Sequence, residues 1–147
     1  MSRAERTRRL SSTPAAVWEV IGDPFQMPRW WPGVTRVEGV DDEAFTLVFQ
    51  TKRRRPVRMD FRVLVSEPDA GWRAWEQEVR GTPFERVLDQ SVIEVLLAPS
   101  DDGGTQVTIS QVQKLRGFSR TGGIMLRRAT DKRVREALER LELIVGG

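Results

Sequence analysis

"SSTPAAVWEVIGDPFQMPRWWPGV", residues 11–34, sets two short helical patterns back to back, ahead of a long stretch that reads as strands. Thr13 offers a side-chain oxygen to cap a helix, and Pro14 suits the first helical position, where no backbone N–H is needed. Over "PAAVWEVIGD" the residues Val17, Trp18 and Ile21 share a face, and Gly22 ends the run. "PFQMPRWW" opens on another proline and stops at Pro32–Gly33. Its last two residues, Trp30 and Trp31, cannot share a face, because helix neighbours lie about 100° apart and strand neighbours point to opposite sides. The expectation is that one tryptophan plugs the end of the core and its neighbour faces a cavity.

On the N-terminal side, "RTRRLSS" is a short extended segment. On the C-terminal side the apolar period falls from about 3.6 to 2. "FTLVFQT" alternates Phe45, Leu47 and Phe49 with other residues, and "VRMDFRVLV" alternates Val57, Met59, Phe61, Val63 and Val65 against Arg58, Asp60 and Arg62. Such alternation marks half-buried antiparallel strands. "WRAWEQEV" and the long "FERVLDQSVIEVLLAP" continue the series, and "SDDGGT" turns the latter into "QVTISQVQKL". From Ser119 the pattern is helical again. Leu126, Thr130, Val134, Ala137, Leu138, Leu141, Ile144 and Val145 form one stripe of about 20 residues, entered through Gly122–Gly123.

Parity then assigns faces. The odd residues of 57–65 are apolar and belong inside. The "DDGGT" hairpin carries this to Val95 and Leu97 opposite Val107 and Ile109, and further back to Asp89, Ser91, Gln111 and Gln113. Those four are polar groups on an apolar face. They pair with each other, lie beyond the helix end, or hold a ligand's polar head, unless a bulge breaks the parity. On "WRAWEQEV" odd parity puts Arg73 beside Trp75, where it binds a ligand carboxylate or pairs with Asp89. Even parity would bury Glu76 and Glu78 at a cost of several kcal/mol.

Composition narrows the chemistry. A chain of 147 residues suffices for one domain, 1–147, and 39% hydrophobic with 31% charged residues suits a soluble globular protein. No stretch approaches a membrane span, the N-terminus lacks an apolar signal region, and there is no cysteine, so the expected location is the cytoplasm. Only Lys52, Lys114 and Lys132 of the 24 basic residues are lysine, which reads as a coding bias. Without His or Cys, zinc sites and cysteine or serine–histidine catalysis are excluded; no metal or cofactor is expected. Near neutral pH the remaining acids and bases are carboxylates with raised pKa, or a lysine with a lowered one. "TKRRRP", residues 51–56, sits at a hairpin without interleaved aromatics and reads as a solvated turn, so nucleic acid is not the expected partner.

Strand, two short helices, six strands and one long helix give an α+β layout. With the loose motifs "P-x-x-V-W" at Pro14–Trp18, "W-x-G-V" at Trp31–Val34 and "G-G-T" at Gly103–Thr105, the chain resembles the START-like, or SRPBCC, superfamily along essentially its whole length. Within that superfamily it most resembles the polyketide cyclase/dehydrase and lipid-transport group. The resemblance implies a helix-grip fold: a seven-stranded curved antiparallel sheet around a long C-terminal helix, with two short helices after the first strand. It also implies a cavity for a hydrophobic small molecule. Aromatase/cyclase members use a polar pocket including tyrosine and arginine, and this chain has no tyrosine.

Three functions stay open at this point. The first is binding of a hydrophobic or aromatic, lipid- or polyketide-like molecule, with Trp30, Trp31, Met59, Phe61, Trp75 and Met125 as walls and Arg73, Asp89 and Gln111 as polar contacts. The second is a cyclase or dehydratase with Asp89 or Glu94 as base. The third is an interaction module using the basic hairpin, or a homodimer formed through a convex patch of Leu88, Val92, Leu96 and Val112.

Overall fold

The period-two segments become strands of one sheet in the computed structural model, which describes residues 2–51, 53–117 and 120–146. Ser2–Leu10 forms β1, Val34–Glu38 β2, Ala44–Gln50 β3, Pro56–Glu67 β4, Trp72–Gln77 β5, Leu88–Pro99 β6 and Thr105–Leu115 β7. Pro14–Ile21 forms helix α1, Met27–Trp30 forms α2 after a 3₁₀ turn at Pro24–Gln26, and Arg120–Val145 forms α3. The seven strands run antiparallel in the order β1-β7-β6-β5-β4-β3-β2, so β1 closes against β7 and leaves β2 at the far edge. This is the helix-grip arrangement, with α3 packed against β1, β7 and α2.

Local signals behave as their chemistry dictates. Thr13 caps α1 by accepting from the Ala16 N–H at 3.3 Å, and Pro14 occupies the first turn. Gly22 closes that helix, its N–H donating to the Trp18 carbonyl at 2.8 Å. Gly146, at φ +103°, ends α3 with an N–H bond to the Glu142 carbonyl, and its own carbonyl accepts from the backbone N–H and hydroxyl of Ser11 at 3.0 and 2.8 Å. That knot ties the last helix to the end of β1. Midway, Arg6 grips Asp131 through two bonds of 2.8 Å, and Arg8 reaches Glu142 at 3.3 Å.

The core lies between the sheet's concave face and α3. Val17, Ile21, Trp30, Phe45, Leu47, Phe61, Trp75, Ile93, Val95, Val107, Ile109, Val134, Ala137, Leu138 and Leu141 are buried there, and Met59, Val63 and Phe49 pack against them from half-buried positions. The odd-numbered residues Met59, Phe61 and Val63 of β4 and the α3 stripe therefore point inward, whereas a register shift after Val63 sets Val65, expected inside, opposite Ala74 on the face of Glu94.

Several expectations change. The long helix spans 26 residues and already includes Gly122–Gly123 in its first turn; its expected start, Ser119, and Lys52 of the basic hairpin lie outside the described residues. Residues 84–86, read as strand, belong to a 3₁₀ turn at Pro83–Arg86 that Val87 caps, where Thr82 accepts from the Phe84 N–H and Pro83 fixes the first position. A register shift between Leu88 and Gln90 then breaks the parity of β6. It turns Leu88 inward and Asp89 outward, reversing both assignments and removing Leu88 from the convex patch. Among the described residues no helix is long and apolar enough to cross a membrane.

Candidate functional site

A cavity of about 200 Å³ opens between α3, the concave sheet and the 3₁₀ turn before β6. Trp31, Phe49, Met59, Phe61, Phe84, Leu88, Ile93 and Leu126 make most of its wall apolar, and Val87, 40% exposed, lies at its rim. Four polar side chains complete it: Gln77, Gln111, Gln113 and Arg133.

The sheet register explains the polar band. Gln111 on β7 faces Ile93 on β6, and Ile93 faces Trp75 on β5; one step outward, Gln113 faces Ser91. Gln77, two residues beyond Trp75, falls level with Ser91 by the same antiparallel count. Three adjacent strands thus place buried amides and a hydroxyl at one height on a face that is otherwise hydrocarbon. The Nε2 of Gln111 donates to Ser91 Oγ at 3.2 Å, and Thr130 Oγ1 on α3 lies 3.1 Å from Gln113 Oε1 and 2.9 Å from the Leu126 carbonyl. Gln111 Oε1 and Gln77 Nε2 remain buried without a partner.

Arg133 enters from the helix. Leu126, Thr130 and Arg133 follow the i, i+4, i+7 spacing of one helix face, and Arg133 is half-buried. Burial pulls its guanidinium below the ordinary arginine value, with the charge of Glu136 acting in the other direction.

Trp31, Met59, Phe61 and Gln111 stand on the cavity wall. Trp30 and Trp75 stand behind it. The rings of Trp30, Trp31 and Trp75 meet edge to face, with centroids 5.7, 6.3 and 6.5 Å apart, and Phe45 joins Trp75 at 6.3 Å. Both Trp30 and Trp75 are sealed in the core, their indole N–H groups without a hydrogen-bond partner.

Four other residues lie elsewhere. Arg73 is buried beside Trp75, its Cζ 6.0 Å from the ring centroid, but donates to Ser66 Oγ at 2.8 Å and borders a separate surface depression with Gly22 and Asp41. Burial lowers its pKa, against the pull of Asp23. Asp89 faces solvent and pairs with Arg116, because the bulge turned it outward. Glu94 sits on the opposite face from Ile93 and Val95 and accepts from the Trp72 indole at 2.8 Å, so it cannot serve the cavity as a base. Met125 is 66% exposed, since it stands about 100° around α3 from the wall residue Leu126.

Gln77, Phe84 and Arg133 are wall residues that sequence reasoning did not name, and Leu88 is one that it placed on the convex face. Gln77 was within reach, because the odd parity that places Trp75 inside places it inside too. Arg133 was signalled only by its i+7 relation to Leu126.

The fold defines a START-like protein, here with a lined cavity. The chain belongs to the polyketide cyclase / dehydrase and lipid transport family, whose pattern matches residues 1–145. Its sequence matches no curated protein. Among solved structures it is similar to the di-domain aromatase/cyclase BexL of the BE-7585A biosynthetic pathway, with TM-score 0.79 and 21% identity over 97% of this chain. This chain covers 46% of that one, about half its length. It is similar also to the Zhui aromatase/cyclase from Streptomyces sp. R1128, with TM-score 0.76, 17% identity and coverage of 97% and 92% of the two chains. A START superfamily protein from Mycobacterium smegmatis gives TM-score 0.77 at 10% identity, with 99% and 97% covered. Likeness at these identities speaks for the fold alone.

Proposed function

We propose that the protein binds a small, largely apolar molecule in the cavity between the sheet and α3. The observation that carries this reading is the pair of unpartnered buried atoms, Gln77 Nε2 and Gln111 Oε1, within an otherwise aromatic and aliphatic wall. Leaving such an atom unmatched costs about 1–3 kcal/mol; the Trp30 and Trp75 indoles bear the same cost inside the sealed core, and the two glutamines differ from them in being side chains that line the cavity. A bound molecule with one acceptor and one donor satisfies both. Each 100 Å² of its apolar surface removed from water contributes about 2.5 kcal/mol.

Size supports a modest ligand. Drug-sized pockets run from about 300 to 1,000 Å³, whereas a dry cavity of about 150 Å³ already holds benzene. At about 200 Å³ the site suits one ring with a substituent; a longer chain requires the Phe84–Leu88 segment to move outward. The aromatase/cyclase neighbours suggest ring-forming chemistry as a second reading. Among the described residues of the wall, however, there is no carboxylate to act as acid or base, and binding is the reading the geometry favours.

Native mass spectrometry of freshly purified protein, with identification of whatever dissociates on denaturation, tests the proposal. A stoichiometric apolar adduct is the expected result. A bare mass, together with unmoved side-chain amide resonances of Gln77 and Gln111 on titration with acetophenone, overturns it.

A further inference from the structure

Arg133 is the only charged side chain among the described residues that line the cavity. It makes no ion pair or hydrogen bond among the described residues. Glu136, the acid nearest along the helix, lies 3.9 Å from Lys132 instead. Asp89 and Glu94, the two acids considered as a base, are held outside by Arg116 and Trp72. A half-buried guanidinium has therefore lost part of its hydration, and Glu136 offsets this only through space, with no acid in direct contact among the described residues. A hydrogen-bonded oxyanion supplies both the lost hydrogen bonding and a counter-charge in contact, and binds more strongly than a neutral acceptor.

We infer that the natural ligand is a small aromatic or alicyclic carboxylate, its carboxylate bound by Arg133 and its ring packed against Trp31 and Phe61. The inference rests on the cavity being a binding site and adds the charge of what it takes. One cation facing apolar walls suits a monoanion; a phosphate ester would bring a second negative charge with no second cation to meet it. Gln77 Nε2, unpartnered on the facing sheet, offers an additional donor, and Gln111 Oε1 accepts from a ligand hydroxyl.

Benzoate and acetophenone provide the test, since they differ mainly by an anionic oxygen against a methyl group. Affinities are measured for both by NMR titration of the wild type and of Arg133→Met, Arg133→Lys and Arg127→Met, the last removing an exposed arginine outside this cavity. Benzoate is expected to bind at least about tenfold more tightly than acetophenone to the wild type. Arg133→Met should erase that preference by weakening benzoate far more than the ketone, Arg133→Lys should retain part of it, and Arg127→Met should keep both affinities. Equal affinities in the wild type, or a preference that survives both Arg133 variants, overturn the inference and leave the cavity reading standing. Binding of neither compound overturns both.

Discussion

Gln111 on β7, a residue of the cavity wall, donates to Ser91 on β6 across 3.2 Å, and the other end of its amide, Oε1, is buried with nothing to accept from. One residue thus has a structural half and an unused half. The unused half makes sense in a binding site and is a cost in an empty protein.

Replacing both partners by apolar groups separates these roles. The double variant Gln111→Met/Ser91→Ala removes the bond and the orphaned acceptor together, so its stability should fall within about 1 kcal/mol of wild type, or exceed it. Gln111→Met alone leaves Ser91 buried without its donor and should be the less stable of the two. Urea unfolding of the three proteins checks the order. A double variant that loses several kcal/mol would mean that the amide is there for the core.

Trp30 and Trp31 differ in what lies behind them. Trp30 is enclosed by the rings of Trp31 and Trp75, so Trp30→Ala leaves a sealed hole and should cost about 5 kcal/mol, the top of the range for aromatic truncation. Trp31→Ala only widens an existing opening, and about 3 kcal/mol is expected. The second variant should also admit a bulkier ligand that the wild type rejects. Equal losses in denaturant, or the reverse order, would show that the cavity does not reach Trp31.

Much of this architecture was legible in the sequence because it follows from repeating patterns. The alternation in β4 and the stripe on α3 set the sheet, the helix and the space between them, and the Thr13–Pro14 cap located α1. The site was legible where it continued those patterns, at Trp31, Phe61 and Gln111. It was hidden where one residue broke them. The β6 bulge adds a residue to one strand without any composition of its own, and it exchanged Leu88 for Asp89. Phe84 is a strand-favouring residue drawn into a 3₁₀ turn by Thr82 and Pro83, and Val87 closes that turn with its N–H on the Phe84 carbonyl, a local cap outweighing propensity. Arg133 flanks the apolar stripe, where a charge normally points to water.

Gly71 holds the β4–β5 turn against β6. Its φ is +63°, its carbonyl accepts from the Leu97 N–H at 2.7 Å, and a Cβ there would lie 2.5 Å from the Leu97 carbonyl oxygen. Gly71→Ala therefore combines an unfavourable backbone conformation with a clash against backbone that cannot step aside, for an expected loss of about 2–3 kcal/mol. At Gly103, where φ is +86° and no neighbour lies within 4 Å, alanine should cost about 1 kcal/mol. Similar losses at both positions in thermal melts would remove the close approach of Leu97 as the cause.

Acid should weaken the protein partly through Asp102 in the β6–β7 hairpin. Its carboxylate accepts from the Ser100 hydroxyl at 2.6 Å and the Gly104 N–H at 3.1 Å and pairs with Arg9, which together lower its pKa from 3.8 to about 2. A group that holds its proton less firmly when folded favours the folded state above the unfolded value and loses that advantage as pH falls through the folded one. Wild type should therefore exceed Asp102→Asn in unfolding free energy near neutral pH, and the gap should close between about pH 4 and pH 2. Asparagine keeps an acceptor for Ser100 and Gly104, so the turn itself survives and the comparison isolates the charge. Asp131, also lowered by its Arg6 bonds, is present in both proteins and drops out of the difference. A gap that stayed constant down to pH 2 would assign the effect to the shape of the side chain and not to its ionisation.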